Sequence, residues 1–81
     1  MFRVTIYTNS DCVDSMRVKE FLKRHRVEFL EKDVAKNEKA AEEMAKKSGQ
    51  LASPVIVARI SGKDRVILGA DEGMIRNVLR I

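Results

Sequence analysis

One cysteine, a serine three residues after it and a distant Ser-Pro pair are the residues whose types and spacing could do chemistry here. Cys12 opens the run Cys12-Val13-Asp14-Ser15, where a strand-like pattern gives way to a helix-like one. Ser53-Pro54 comes about forty residues later, at the head of the most apolar strand of the chain. A thiolate at a helix N-terminus meets unsatisfied N–H groups and the positive end of the helix dipole. That placement lowers the thiol pKa and frees the sulfur to attack a disulfide. Ser15, one helical turn on, can donate its hydroxyl hydrogen to the sulfur; it can equally be an ordinary first-turn serine bonded to backbone or water. Asp11 and Asp14 work in the opposite direction. A carboxylate ~6 Å from the sulfur costs roughly 0.7–3 kcal/mol for effective dielectric values between about 80 and 20. This is about half to two pKa units upward, comparable with the helix-end benefit.

A single cysteine per chain sets a firmer limit. A dithiol site releases a mixed disulfide by internal attack of its second thiol. With no such thiol here, a mixed disulfide on Cys12 has to be resolved from outside. Metal chemistry within one chain is disfavoured too. His25, the one histidine, lies thirteen residues from Cys12 along the same expected helix, roughly 20 Å away at the helical rise. It reads as a helix-edge residue continuing the stripe of Val18, Phe21 and Leu22.

The elements that must hold these residues are legible from periodicity. Phe2, Val4 and Ile6 alternate with Arg3, Thr5 and Tyr7, a strand of period two, and Thr8-Asn9-Ser10-Asp11 is a turn. Val13 to His25 carries one apolar stripe and predicts a helix. Val27 to Glu31 is a second strand candidate. Asn37 is the expected N-cap of a helix through Ala41, Met44 and Ala45, closed by Gly49. Lys39/Glu43, Glu42/Lys46 and Glu43/Lys47 are i,i+4 pairs on that helix. Pro54 to Ala58 is a continuous apolar run, as expected of a strand covered on both faces. Ser61-Gly62-Lys63-Asp64 turns into Arg65 to Leu68. Asp71 then caps a last helix carrying Met74, Ile75, Val78 and Leu79, with Met44 and Met74 on core faces and Met16 exposed. The order β-α-β-α-β-β-α predicts an α/β fold, with a parallel first pair, a closing hairpin and helices covering a four-stranded mixed sheet.

The 81 residues, 44% of them apolar, suit one domain spanning 1–81. One cysteine fits a reducing compartment rather than a disulfide scaffold. The start, Met1 to Tyr7, is too short and polar for a signal-peptide core, and no apolar run approaches the ~20 residues that span a bilayer. A cytoplasmic monomer off the membrane is expected. The net charge of +4 comes with few aromatics, so base stacking has little to work with. A solvated basic surface is favoured over a nucleic-acid face.

This order, with Cys-x-x-Ser after the first strand and Ser-Pro before the third, resembles the thioredoxin fold. Within it the chain is similar to the small glutaredoxins and the glutaredoxin-like redoxins that serve ribonucleotide reductase. The runs Val4 to Thr8, Asp33-Val34, Lys47 to Gln50, Ser53 to Val57 and Gly69 to Glu72 carry the resemblance over essentially the whole chain. It implies that Cys12 is the nucleophile and that Pro54 follows a cis peptide bond. It implies no bound cofactor, with glutathione or another low-molecular-weight thiol as co-substrate and a disulfide-bearing or glutathionylated protein as substrate. It further points to Ser53, Pro54, Gly69, Asp71 and Glu72 as glutathione contacts; helix capping is the alternative role for Asp71 and Glu72, and a structural turn for Ser53 and Pro54. The chain departs from the family pattern at Ser15 (a second cysteine), Val13 (commonly proline), Asp14 (commonly aromatic) and Ala70 (often aromatic or glycine). The basic residue often found just upstream of the cysteine is missing from Thr8 to Asp11.

The expected activity is therefore monothiol thiol–disulfide exchange through Cys12. Two alternatives stay open. Some monothiol relatives share an iron–sulfur cluster between two subunits, using one protein cysteine and one glutathione from each, in which case Cys12 is a cluster ligand; they typically have Gly-Phe where this chain has Val13-Asp14. Other thioredoxin-fold domains keep only a binding groove beside the proline.

Overall fold

The computed structural model describes residues 2–81, with Phe2 described in its backbone alone, so the expected placement of the Phe2 side chain lies outside it. The elements run β1 (Phe2–Thr8), α1 (Val13–Arg24), β2 (Leu30–Asp33), α2 (Glu38–Ser48), β3 (Val55–Ile60), β4 (Lys63–Leu68) and α3 (Glu72–Leu79). Among the described residues the strands form one mixed sheet in the order β2-β1-β3-β4. β1 and β2 are parallel, while β1–β3 and β3–β4 are antiparallel. This is the thioredoxin fold that the resemblance implied.

Because side chains alternate across a strand, β3 feeds two cores at once. Ile56 and Ala58 join Val4, Ile6 and Ile67 of the sheet beneath Val18, Phe21 and Leu22 of α1 and Ile75 and Leu79 of α3. Val55 and Val57 join Tyr7 on the other face, under Ala40 and Met44 of α2. Tyr7 belongs to the polar half of the period-two pattern, yet it is 1% exposed. A strand with helices on both faces has no solvent side, so its alternation sorts residues between two cores. Met74, expected inside, is exposed instead, and Met16 is exposed as expected. Among the described residues no helix is long and apolar enough to cross a membrane.

Several strand boundaries differ from the sequence pattern, β1 taking in Thr8, β2 running on to Asp33 and β3 to Ile60, and two of the differences have clear local reasons. The second strand starts at Leu30 rather than Val27. Arg26 takes a left-handed φ of 56°, its N–H bonds to the Lys23 carbonyl, and the Val27 N–H bonds back to Leu22 at 2.9 Å. This is a Schellman ending with Arg at the position glycine usually holds, and it keeps Val27 out of the ladder while burying its side chain against the core. The hairpin is likewise tighter than expected. Ile60 pairs with Lys63, leaving a two-residue loop, Ser61-Gly62, with φ of 52° and 80°. Positive φ at both central residues is the turn that suits strand twist.

Charges tie the edge strand β2 to both helical layers, one per face. Glu43 of α2 accepts from the Tyr7 hydroxyl at 2.9 Å and from Lys32 of β2 at 2.7 Å. Glu31 of β2 accepts from Thr8 at 2.8 Å and pairs with Lys19 of α1 at 3.1 Å. Lys47 reaches Asp64 of β4 at 3.1 Å. The i,i+4 pairs expected within α2 do not form as ion pairs; Glu43 and Lys47 turn to partners on the sheet.

Burial, reinforced by the hydrogen bond to the Glu43 carboxylate, pushes the Tyr7 phenol up to about 12. A shift of two units corresponds to roughly 3 kcal/mol. Because the raised pKa belongs to the folded state, this contribution is complete below the unfolded value near 10 and is lost as pH climbs through 12. Tyr7 is the chain's one tyrosine, so phenolate absorbance reads it directly. Its midpoint is expected near 12, or alkaline unfolding between 10 and 12 if exposure comes first. Glu43→Gln should lower the midpoint but leave it above that of a free phenol, since burial is the larger cause. A native midpoint equal to that of free tyrosine would contradict the assignment.

Candidate active site

Strand direction brings the candidate residues to one end of the sheet. β1 ends where antiparallel β3 begins, Tyr7 facing Val55, so the turn after β1 meets the loop before β3. β4 runs antiparallel to β3, with Leu68 opposite Val55, which delivers Gly69 to Glu72 to the same end. Gly69 completes the junction: its N–H donates to the Pro54 carbonyl at 2.9 Å, and its φ of 76° is one that a side chain would strain.

Cys12 is the N-cap of α1, with extended φ and ψ of −100° and 118°, and is half-buried. Its thiol faces the Ser53 carbonyl at 3.8 Å, across a Ser53–Pro54 peptide bond that is cis. The thiol is held below its ordinary pKa. The Ser15 N–H is the leading cause, followed by the Ser15 hydroxyl; burial opposes them, the Asp14 N–H adds to them and the Asp14 carboxylate opposes. Helix-end donors therefore outweigh the carboxylate. Asp14 is more than half exposed and lies 3.8 Å from Arg17, so water and a counter-charge screen it. Among the described residues no group of three or more His, Cys, Asp and Glu is placed to hold a metal ion.

Ser15 is 1% exposed. Its oxygen accepts a hydrogen bond from the Asn9 N–H at 3.2 Å, so it is more than a solvated first-turn serine. Pro54 is buried and Ser53 half-buried beside the sulfur. Asp71 caps α3 by accepting from the Met74 N–H at 3.0 Å, and Glu72 is an exposed first-turn residue. The structure thus draws Ser53, Pro54 and Gly69 into one junction with Cys12, while Asp71 and Glu72 follow Gly69 at the start of α3, with the capping role visible for Asp71. Thr8 and Asn9 were legible as turn formers, but nothing in the spacing marked their links to Glu31 and Ser15.

The profile of the glutaredoxin family matches residues 4–63, and no curated protein matches the chain. Among solved structures, a glutaredoxin from Archaeoglobus fulgidus is 30% identical, with a TM-score of 0.86 over 100% of this chain and 89% of that one. A glutaredoxin from Methanosarcina mazei Go1 is 26% identical, with a TM-score of 0.79 over 98% and 79%. The glutaredoxin-like NrdH-redoxin of Escherichia coli, described as having a thioredoxin-like activity profile, is 28% identical, with a TM-score of 0.76 over 94% and 93%.

A lowered thiol pKa has a direct readout. Thiolate absorbance, or the pH dependence of alkylation, should give Cys12 a midpoint below the ~8.5 of a free cysteine. Ser15→Ala removes one donor and should raise that midpoint without abolishing it, because the N–H groups of Ser15 and Asp14 remain. An unshifted midpoint in Ser15→Ala would mean the hydroxyl does not reach the sulfur.

Proposed function

The chain belongs to the glutaredoxin family, and from that starting point we propose that it is a glutathione-linked monothiol thiol–disulfide oxidoreductase. The observation that carries this reading is the Cys12 sulfur, half-buried at the α1 N-terminus, lowered in pKa and 3.8 Å from the Ser53 carbonyl, in a chain with no second cysteine.

In the proposed cycle the Cys12 thiolate attacks the glutathione sulfur of a glutathionylated protein. That S–S bond breaks as the Cys12–glutathione disulfide forms, and the departing protein thiolate takes up a proton. A second glutathione, as thiolate, attacks the glutathione sulfur on Cys12, which releases glutathione disulfide and returns the Cys12 thiolate. Donors at the helix end favour Cys12 twice, as the nucleophile in the first step and as the leaving group in the second. The Ser53 and Pro54 backbone borders the sulfur, where an extended thiol peptide would pair, while Gly69, Asp71 and Glu72 border its amino end. Residues 1–81 act as one domain, as a monomer, in the reducing cytoplasm that supplies such a thiol.

Cys12→Ser is expected to abolish reduction of a glutathione mixed disulfide, and mass spectrometry of the native protein should find glutathione on Cys12. Ser15→Cys restores the Cys-x-x-Cys spacing and should permit an internal disulfide. Retained reduction by Cys12→Ser would overturn the proposal.

A further inference from the structure

We propose that Asn9 is a positioning residue for Cys12, acting through Ser15 and the turn that leads into α1. This deepens the reading above, since it rests on Cys12 as the reacting sulfur. Three of its four hydrogen-bonding groups are committed to the segment around that sulfur. Its carbonyl accepts the Cys12 N–H at 2.9 Å, closing a turn from Asn9 to Cys12. Its side-chain Oδ1 accepts the Asp11 N–H at 2.9 Å inside that turn, an Asx-turn that locks the loop conformation. Its backbone N–H donates to Ser15 Oγ at 3.2 Å; this bond and the carbonyl bond belong to the backbone, so the asparagine side chain acts by locking the turn that aims them.

The last bond gives the arrangement its chemical direction. A hydroxyl has one hydrogen and two lone pairs. With a lone pair of the buried Ser15 oxygen occupied by the Asn9 N–H, its one hydrogen is left to aim elsewhere, and the sulfur lies on the same turn of helix. The turn closed through the Asn9 carbonyl meanwhile ties down the backbone of Cys12, which is extended at the N-cap of α1. Asn9 carries no charge, so its contribution is geometric: it orders donors that would otherwise have to be ordered at the moment the sulfur ionises.

The test is a pH titration of Cys12 alkylation in the full chain with three neutral substitutions at position 9. The carboxylates Asp11, Asp14, Glu31, Asp33, Asp71 and Glu72 and the cations Arg17, Lys19 and Lys36 around this end of the sheet are unchanged in all of them. Asn9→Ala should raise the midpoint by about half to one pH unit, the worth of one ordered hydrogen bond. Asn9→Ser, which retains an oxygen able to close a similar turn, should recover part of the shift. Asn9→Gln keeps the amide at the wrong reach and should behave like Asn9→Ala, which also guards against a poorly folded alanine variant. Combined with Ser15→Ala, Asn9→Ala should add less than its separate shift, because the turn locked by Asn9 Oδ1 aims the N–H that holds this hydroxyl. Native-like titration in Asn9→Ala and Asn9→Gln, or shifts that simply add to that of Ser15→Ala, would overturn the proposal. The titration reads the thiol itself. A protein that reduced no glutathione mixed disulfide would therefore count against the proposed function while leaving this result intact.

Discussion

The antiparallel pairing of β1 with β3, in the register that sets Tyr7 opposite Val55, is the constraint on which the site depends. It brings a turn from early in the chain against a loop some forty residues later, and the sulfur acquires its Ser53 neighbour as a consequence. Both cores enforce that register. Ile6 and Ile56 are packed beneath α1 and α3, and Tyr7 and Val55 beneath α2. A slip of one residue would exchange the two sets between faces and carry Cys12 about 3.3 Å along the sheet edge. Placement of the thiol is thus stabilised by hydrophobic packing well away from it.

At the sulfur itself, the contest between N–H donors and carboxylates is decided by direction and screening rather than by counting charges. The Ser15 N–H and hydroxyl favour the thiolate of the half-buried Cys12. Asp14 acts through space from an exposed position beside Arg17. Short, oriented dipoles in a partly desolvated site prevail over a full charge that water surrounds. The same contrast explains the charges on the sheet, where Glu43 and Glu31 find partners across elements and hold β2 between the two helical layers.

Much of this was written locally. Asn37 and Asp71 were identifiable as caps, and each accepts the expected backbone N–H. Gly49 ends its helix with a φ of 73°. The apolar run from Val55 to Ala58 is buried throughout. What escaped the pattern has specific causes. The end of α1 is a Schellman turn built on Arg26, whose residue type gives no warning of a left-handed conformation. Tyr7 looks like a solvent-facing residue until a second helical layer covers it. Ser15 looks solvated until the turn behind it closes.

By itself the sequence determined the element order, the fold class and the identity of the one sulfur, because caps, periodicity and turn residues act over a few neighbouring positions. The tertiary structure alone decided which end of the sheet the loops share, which carboxylates find partners and whether the thiolate is favoured. Those outcomes depend on hydrogen-bond directions and solvent access between segments far apart in the chain, and no local pattern encodes either.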